Sequence, residues 1–397
     1  MKEVVIIGGG ASGIACAISA ARAGRDVTIL ERNSKCGKKL LITGNGRCNF
    51  WNDDHDLCHY HSSHNDLVSS FIDSDCVLDF FDSLGLVYKV KNGGYYPFSN
   101  QALSVESILE SELRKLNVEV ITDFKVYKIV KFDGYFLIND CVKAKNVVIA
   151  CGSKACSKTG CDGSGYDLAL SLGHRLIKPL PSLVQLKGNE DYFKKWSGIR
   201  ADVEVKLYEC DSLVKSECGE IQLTDYGLSG ICIFNLSGLV AKGLDNNLKE
   251  AIRINFMPWT DDVYVFLKKI DKSSYRKNIG ELLEGFLHYK LVDIILKKCL
   301  IKRNIYLNNL SKNEVERLTY CLSNFEVLID EVNSFEHAQV CQGGIPLDEI
   351  NPSTMESLIV KNLYFAGEIV DIDGDCGGYN LGFAWMSGIK AGKNVGI

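Results

Sequence analysis

Apolar residues open this chain in a run rather than in alternation. "VVII" (residues 4–7) passes through three glycines into "ASGIACAISAARAG", where small and apolar residues dominate, and then into "RDVTILERN", a short apolar run closed by an acid. The pattern predicts a buried strand, a glycine turn, a helix and a second strand. Residues 142–152, "VKAKNVVIACG", repeat the design with a charged lead-in, an apolar strand and a small-residue ending. Residues 359–371, "IVKNLYFAGEIVD", repeat it again and run into the glycine-rich "GDCGGYNLGFAWMSGIKAG", a second glycine turn that begins a helix. Between these stretches the pattern changes. From Leu180 the segments "SLVQLKG", "ADVEVKLYE", "SLVKSECGEIQL", "GICIFNLS" and "AIRINFMP" are short, turn-bounded and β-rich. From Asp261 to about Leu322 apolar residues recur every three or four positions, which predicts helices.

This order gives a doubly wound α/β domain interrupted by an insertion. The first part spans residues 1–179, the inserted domain residues 180–341 (β-rich over 180–260, helical over 261–322) and the second part residues 342–397. Pro179 and Pro181 mark the exit, and "QGGIP" (residues 342–346) marks the return.

Composition narrows the picture. With 46% apolar and 24% charged residues in 397, the chain is that of a globular protein large enough for more than one core. A net charge of -5 gives no reason to expect nucleic acid or an anionic membrane as a partner. The 18 uncharged residues from 4 to 21 mimic a leader or anchor, but three glycines sit in their middle and a second strand follows, so no targeting segment and a cytoplasmic protein are expected. Sixteen cysteines with no CxxC pair fit a reducing compartment. Cys151, Cys156 and Cys161 lack the tight pairs of metal sites, and no metal is expected.

The first glycine turn has a mechanism. In Gly8-x-Gly10-Ala11-Ser12-Gly13, Gly8 permits the tight turn, Gly10 lets backbone approach a pyrophosphate, and Gly13 lets the helix lie close to the sheet. The phosphates then meet the free N–H groups of a helix N-terminus. Glu31, 18 residues past Gly13, is placed to accept hydrogen bonds from ribose hydroxyls, and an acid there disfavours a 2′-phosphate. An adenine dinucleotide is implied. Glu368, at the end of the late strand, would hydrogen-bond the ribityl chain of a flavin. The glycines that follow begin a helix whose N–H groups would face the flavin pyrimidine, favouring the charge that develops there on reduction. The two glycine stretches thus hold opposite ends of one FAD.

Five further stretches carry a resemblance: "GKKLLITGNGRCN", "YYPFSNQALSV", "KTGCDGSGYDLALSLGH", "AQVCQGGIPLDEINPSTMES" and "LYFAGEIVDIDGDCGGYNLGFAWMSG". Together they resemble the BaiN-type and aminoacetone-oxidase-like family of FAD-dependent oxidoreductases over nearly the whole chain. The resemblance implies a two-dinucleotide-binding (Rossmann-like) FAD domain interrupted by a small β-structure and a helical portion. By motif matching it places Gly8, Gly10, Ala11, Ser12, Gly13, Glu31 and Arg32 at the adenosine and phosphate half. It places Gly44, Arg47, Cys48, Asn49, Gly367, Glu368, Gly378, Asn380 and Leu381 along the flavin half. Lys39, Val126, Ala150 and Gly152 complete the cofactor set. The family's activities include reduction of conjugated double bonds in steroid-like ketones and oxidation of small amines. Cys151, Cys156 and Cys341 depart from its usual residues.

The expectation is therefore an FAD-dependent oxidoreductase passing hydride through flavin N5, an NAD(P)H-dependent reductase of a conjugated ketone or similar small organic substrate. A flavin amine oxidase using dioxygen is the alternative, with a flavin redox sensor or a tRNA-modifying flavoprotein more remote. No second strand–glycine–acid fingerprint for NAD(P)H is present. Arg47 and Tyr379 are the candidates to orient substrate and supply a proton. "HDLCHYHSSH" packs four histidines into ten residues, but with no acid spaced to complete a site it reads as a polar loop. "GCDGSGYDLAL" reads as a helix start and "KVKNGG" as a turn.

Overall fold

The computed structural model describes residues 1–273 and 277–397; residues 274–276, inside the stretch expected to be helical, lie outside the described residues. The chain divides into two compact units, residues 1–182 with 335–397, and residues 183–334.

The first unit is built on a seven-stranded sheet. Its first strand, Lys2–Ile7, pairs in parallel with Val27–Leu30 on one side and Val142–Ile149 on the other. Glu119–Ile121 extends one edge in parallel. Beyond Val142–Ile149 lie Leu363–Phe365, parallel to its C-terminal half, and an antiparallel pair, Tyr135–Ile138 and Ile129–Phe132. Helices cover both faces of a parallel sheet, which is why these strands read as continuous apolar runs. Val4, Val5 and Ile6 are each fully buried, and each such side chain stabilises the fold by about 1.5–3 kcal/mol. The first helix, Ala11–Arg22, lies against the last, Tyr379–Asn394. The two approach closely because Gly388 and Gly392 have no side chain: a Cβ on either would collide with the backbone of Ser12 or Cys16.

The insertion is a second seven-stranded sheet among the described residues, antiparallel, centred on Arg200–Glu209 and Ser212–Leu223. Its core includes Val203, Val205, Leu207, Ile252 and Ile254. Helices Val263–Ser273, Ile279–Leu283, Tyr289–Lys298 and Lys312–Ser323 follow. Capping boxes at Asn278 with Glu281 and at Ser311 with Glu314 start two of them.

Two expectations need correction. "GICIFNLS", read as β-structure, belongs to the helix Ile231–Asp245. Its buried positions, Cys232, Ile233, Leu236, Ser237, Val240 and Ala241, carry the helical spacing only when the window is extended beyond eight residues. The insertion also runs over 183–334 rather than 180–341. Pro179 and Pro181 lie in a strand, Ile177–Ser182, paired antiparallel with Val340–Gly344, so both presumed crossing points belong to one small sheet of the first unit. The ladder shifts register between Ile177 and Leu180, where Pro179 has no N–H to donate. "KVKNGG" forms a hairpin turn between Tyr88–Lys91 and Gly94–Pro97, with Asn92 and Gly93 both at positive φ. No helix of the described residues is long and apolar enough to cross a membrane.

Candidate functional site

The first glycine turn has the geometry its spacing predicts. Gly8 sits at φ +106°, and a Cβ there would collide with the Ala150 carbonyl; a Cβ on Gly13 would collide with the Gly8 carbonyl. At Gly10 a Cβ would meet nothing within 4 Å. The turn is therefore packed on its inner side and open on the side where a phosphate would lie. Gly10 caps the first helix without any side-chain hydrogen bond, which leaves that end to a ligand. Ser12 does not point outward: its hydroxyl donates to the Ala366 carbonyl at 3.2 Å.

Glu31 follows the second strand and is buried. One carboxylate oxygen accepts from the Gly9 N–H at 2.7 Å, the other from the Asn33 N–H and side-chain amide at 2.7 Å each. These bonds fix the acid at the mouth of a narrow cleft walled by Ile7, Leu30, Phe124, Val126, Cys151 and Gly160. An apolar slot with a fixed carboxylate at its rim suits an adenosine. Arg32 closes the slot: its guanidinium donates to the Gly160 carbonyl at 3.0 Å and pairs with Asp162 at 2.5 Å. Burial pushes the Asp162 carboxyl up, but hydrogen bonds from Ser164, with Arg32 and Lys125, hold it well below the usual range.

The stretch from Lys39 to Asn49 has an irregular backbone. Leu40–Gly46 is a 3-10 segment broken at Gly44 and Asn45, both at φ +55°. Cys48 is buried at φ +57°. Asn49 faces Gly94, and its Oδ1 is buried without a partner. Lys39 pairs with Glu368 at 2.7 and 3.0 Å, and Ser153 donates to the same carboxylate at 2.9 Å. Burial alone would lower the Lys39 pKa; the Glu368 charge outweighs it and raises the value. The Tyr166 hydroxyl is also buried without a partner, within the electrostatic reach of Cys341 and Glu368. An unmatched buried polar atom costs about 1–3 kcal/mol. Asn49 and Tyr166 thus mark where a polar ligand is missing its counterpart. Arg47 stays exposed, with its Nε on the Gly44 carbonyl at 3.3 Å.

The last stretch completes this surface. Gly152 and Gly367 take positive φ, and a Cβ on Gly367 would collide with the Ser12 hydroxyl. Gly378, at φ +109°, leaves only 2.7 Å between a notional Cβ and the Trp51 carbonyl. It caps the last helix with no side-chain hydrogen bond. Asn380 is used internally: its Oδ1 accepts from the Gly374 N–H at 2.9 Å and its amide donates to the Gly374 carbonyl at 2.6 Å. It shapes the turn, and only its backbone is left for a ligand. Leu381 packs against the core. The donor set, the orphaned atoms and the two open helix ends fit FAD. Bound there, FAD would lie with Glu31 at its ribose and Lys39 and Glu368 near its middle.

The polar histidine loop is more than a loop. Asp375 is largely buried and bridges two histidines, with His59 Nδ1–H donating at 3.0 Å and His61 Nε2 paired at 3.1 Å. His59 Nε2 reaches Asp54 at 3.1 Å, and its ring stacks on Tyr379 at 4.4 Å between centroids and 19° between planes. Burial would lower the His59 pKa; Asp375 and Asp54 overcome it and raise the value. Tyr379 is itself buried, and burial, with Asp54 and Asp375, pushes its phenol up. Nearby, Asp373 accepts from the Ser182 hydroxyl at 3.0 Å, and burial raises its pKa to about 7. The partner acid lies 316 residues from His59. Its signal in the sequence is the alternation of acids in "VDIDGD". Among the described residues no group of three or more acids, histidines and cysteines is placed to hold a metal ion.

A second histidine site lies elsewhere in the same unit. The fully buried ring of His174 donates from Nδ1 to Glu349 at 2.8 Å and accepts at Nε2 from the Ser357 hydroxyl at 2.9 Å. Ser357 Oγ in turn accepts from the Ile359 and Val360 N–H groups, at 3.0 and 2.7 Å.

Comparisons with known proteins show the family and the fold. The model of the HI0933-like protein Rossmann domain family matches residues 2–394. The chain is 39% identical to a 3-dehydro-bile acid delta(4,6)-reductase of Clostridium scindens, over 99% of this chain and 98% of that one. It is 27% identical to a ribosomal RNA dihydrouridine synthase of Haemophilus influenzae, over 99% and 98%. Among solved structures, a flavocytochrome c3 fumarate reductase in its open conformation shares the fold at a TM-score of 0.50 and 14% identity, covering 100% of this chain and 77% of that one.

Proposed function

We propose that this chain, which belongs to the HI0933-like Rossmann family and is an FAD-dependent oxidoreductase, reduces a carbon–carbon double bond conjugated to a carbonyl in a small organic molecule, with NAD(P)H as the electron donor. One observation carries the reading: the open end of the first helix and the open end of the last belong to one compact unit, joined where Ser12 meets Ala366 and Gly367. The 39% relative, named as a 3-dehydro-bile acid delta(4,6)-reductase, supports the substrate class.

Bound FAD supplies the hydride that such a reduction needs. The chain's residues do the rest. Glu31, held by three hydrogen bonds, would offer its remaining lone pairs to ribose hydroxyls. The Gly10 end of the first helix would favour the pyrophosphate. Lys39 and Glu368 would face the cofactor as an ion pair, so that neither would bring an unbalanced charge into the site. The open end of the last helix would offer N–H groups and about half a positive charge to the flavin. Arg47, exposed and without an ion-pair partner among the described residues, would meet an anionic substrate group. A small molecule is favoured over RNA by the net charge of -5, since RNA binding relies on a positive surface.

The test begins with an absorbance spectrum of the purified protein. Flavin bands that bleach under anaerobic NADH or NADPH, and return quickly with a 3-oxo-Δ4-steroid enone but slowly with dioxygen, are expected. Protein that is colourless and takes up no FAD overturns the reading, as does reduced protein that returns only with dioxygen. Salt-sensitive RNA binding with reduction of a uridine would replace the small molecule by RNA.

A further inference from the structure

The cluster of His59, His61 and Asp375 lies outside the residues expected to hold the cofactor and stands against the first residue of the last helix. We infer that His59 is the acid that protonates the substrate during double-bond reduction, with Asp375 as the carboxylate that positions it. This rests on the reading above that the substrate is a conjugated carbonyl compound.

The ring is held on three sides. Tyr379 lies flat beneath it at 4.4 Å, which fixes the plane. Asp375 takes Nδ1–H at 3.0 Å; this carboxylate is buried (8% exposed) and also bound to His61, and the Asp375 backbone N–H donates to the His59 carbonyl at 2.9 Å, which fixes the two residues side by side. Asp54 takes Nε2–H at 3.1 Å, but its side chain is 56% exposed. Two hydrogen bonds of similar length are therefore unequal in strength. A buried carboxylate keeps its proton partner, whereas an exposed ion pair is worth about 0–1 kcal/mol and yields easily to a ligand. The proton on Nε2 is the one free to leave. Tyr379 is the poorer acid of the stacked pair, because burial raises its phenol.

The step balances. Reduction adds a hydride, with its electron pair, at the carbon remote from the carbonyl, and a proton at the carbon next to it. The Nε2–H bond of the imidazolium breaks, its electron pair stays on nitrogen, and a C–H bond forms at the substrate. The neutral ring keeps Nδ1–H on Asp375, so the tautomer is fixed, and water restores the Nε2 proton at the exposed edge. The groups facing His59 are Asp54 from its own loop, Asp375, just past the short strand Asp373–Gly374 that pairs with Tyr60–His61, and Tyr379 from the last helix; Asp56 and Cys58 lie beside it and His61 shares Asp375.

The experiment uses the FAD-loaded full chain. Reduced enzyme is mixed with a 3-oxo-Δ4-steroid enone across a pH series, and histidine ring protons are titrated by NMR. In wild type the rate should fall as pH rises through the His59 pKa. His59→Gln should slow reoxidation by the enone about 100-fold, leaving FAD content and reoxidation by dioxygen unchanged. Asp375→Asn should move both the rate inflection and the His59 titration to lower pH, and Asp375→Glu should restore most of the shift. A His59→Gln enzyme as fast as wild type, or a rate inflection indifferent to Asp375, overturns the inference. If wild-type reduced enzyme ignores the enone, the functional reading fails instead. The inference is then decided by the NMR titration, and a His59 signal that Asp375→Asn does not move overturns it.

Discussion

Two histidines in one unit each face a carboxylate, and their protonation runs in opposite directions. His59 is partly exposed and lies between Asp54 and Asp375, so the two charges outweigh burial and its pKa rises. His174 is fully buried against Glu349 alone, so desolvation wins and its pKa falls. The carboxylate at His174 is already occupied by the Arg175 N–H and guanidinium, which leaves it less to offer the ring. A histidine–carboxylate contact by itself therefore predicts neither a charged ring nor a catalytic one. Exposure and the number of competing partners decide. Ser357, His174 and Glu349 are arranged like a hydrolytic triad, yet the Ser357 oxygen is capped by two backbone N–H groups and buried. That serine ties down a loop and is not a nucleophile.

The largest effect expected from breaking this contrast is at the buried site. His174→Ala should cost about 3 kcal/mol, because it strips Ser357 and Glu349 of a buried partner, read as a lower urea midpoint at constant m-value. Ser357→Ala should cost roughly 1–2 kcal/mol by freeing the Ile359 and Val360 N–H groups. The pH dependence of stability should separate the two rings. His174, with its folded pKa lowered, contributes stability that is full above the unfolded value and is lost as pH falls below it. His59, with its folded pKa raised, contributes stability that is full below the unfolded value and is lost as pH rises through the folded one. Unfolding curves of His174→Gln and His59→Gln from pH 5 to 8 should therefore converge on wild type at opposite ends. The smallest effect is on His59→Gln at neutral pH, within about 0.5 kcal/mol of wild type by thermal melting, since one partner carboxylate is exposed.

Much of the candidate site was legible in the sequence because it is local. Gly8, Gly10, Gly13 and Glu31 sit within one strand–turn–helix–strand unit, and at Gly8 and Gly13 a Cβ would collide with backbone. A Cβ on Gly367 or Gly378 would collide as well. What escaped was non-local or ambiguous. The acid completing the histidine site lies just past the short strand Asp373–Gly374, and no spacing rule reaches across 316 residues. The helix at Ile231–Asp245 hid as a strand because an eight-residue apolar window fits both periods. Pro179 and Pro181 looked like a boundary, yet they sit in an edge pairing that tolerates a missing donor. Lys39 was assigned to the cofactor by resemblance. Its pairing with Glu368 explains how a lysine can stand there, and only the fold brings the two together.

The close crossing of the first and last helices also ties two distant stretches of sequence into one core. Residues 1–182 and 335–397 form one compact unit, and the strand Leu363–Phe365 joins its sheet only by pairing with Val142–Ile149. Residues 183–334 have a core of their own. Removing everything after residue 360 therefore strips the first unit of a strand and of the helix packed on Ala11–Arg22, while the second unit keeps its core intact.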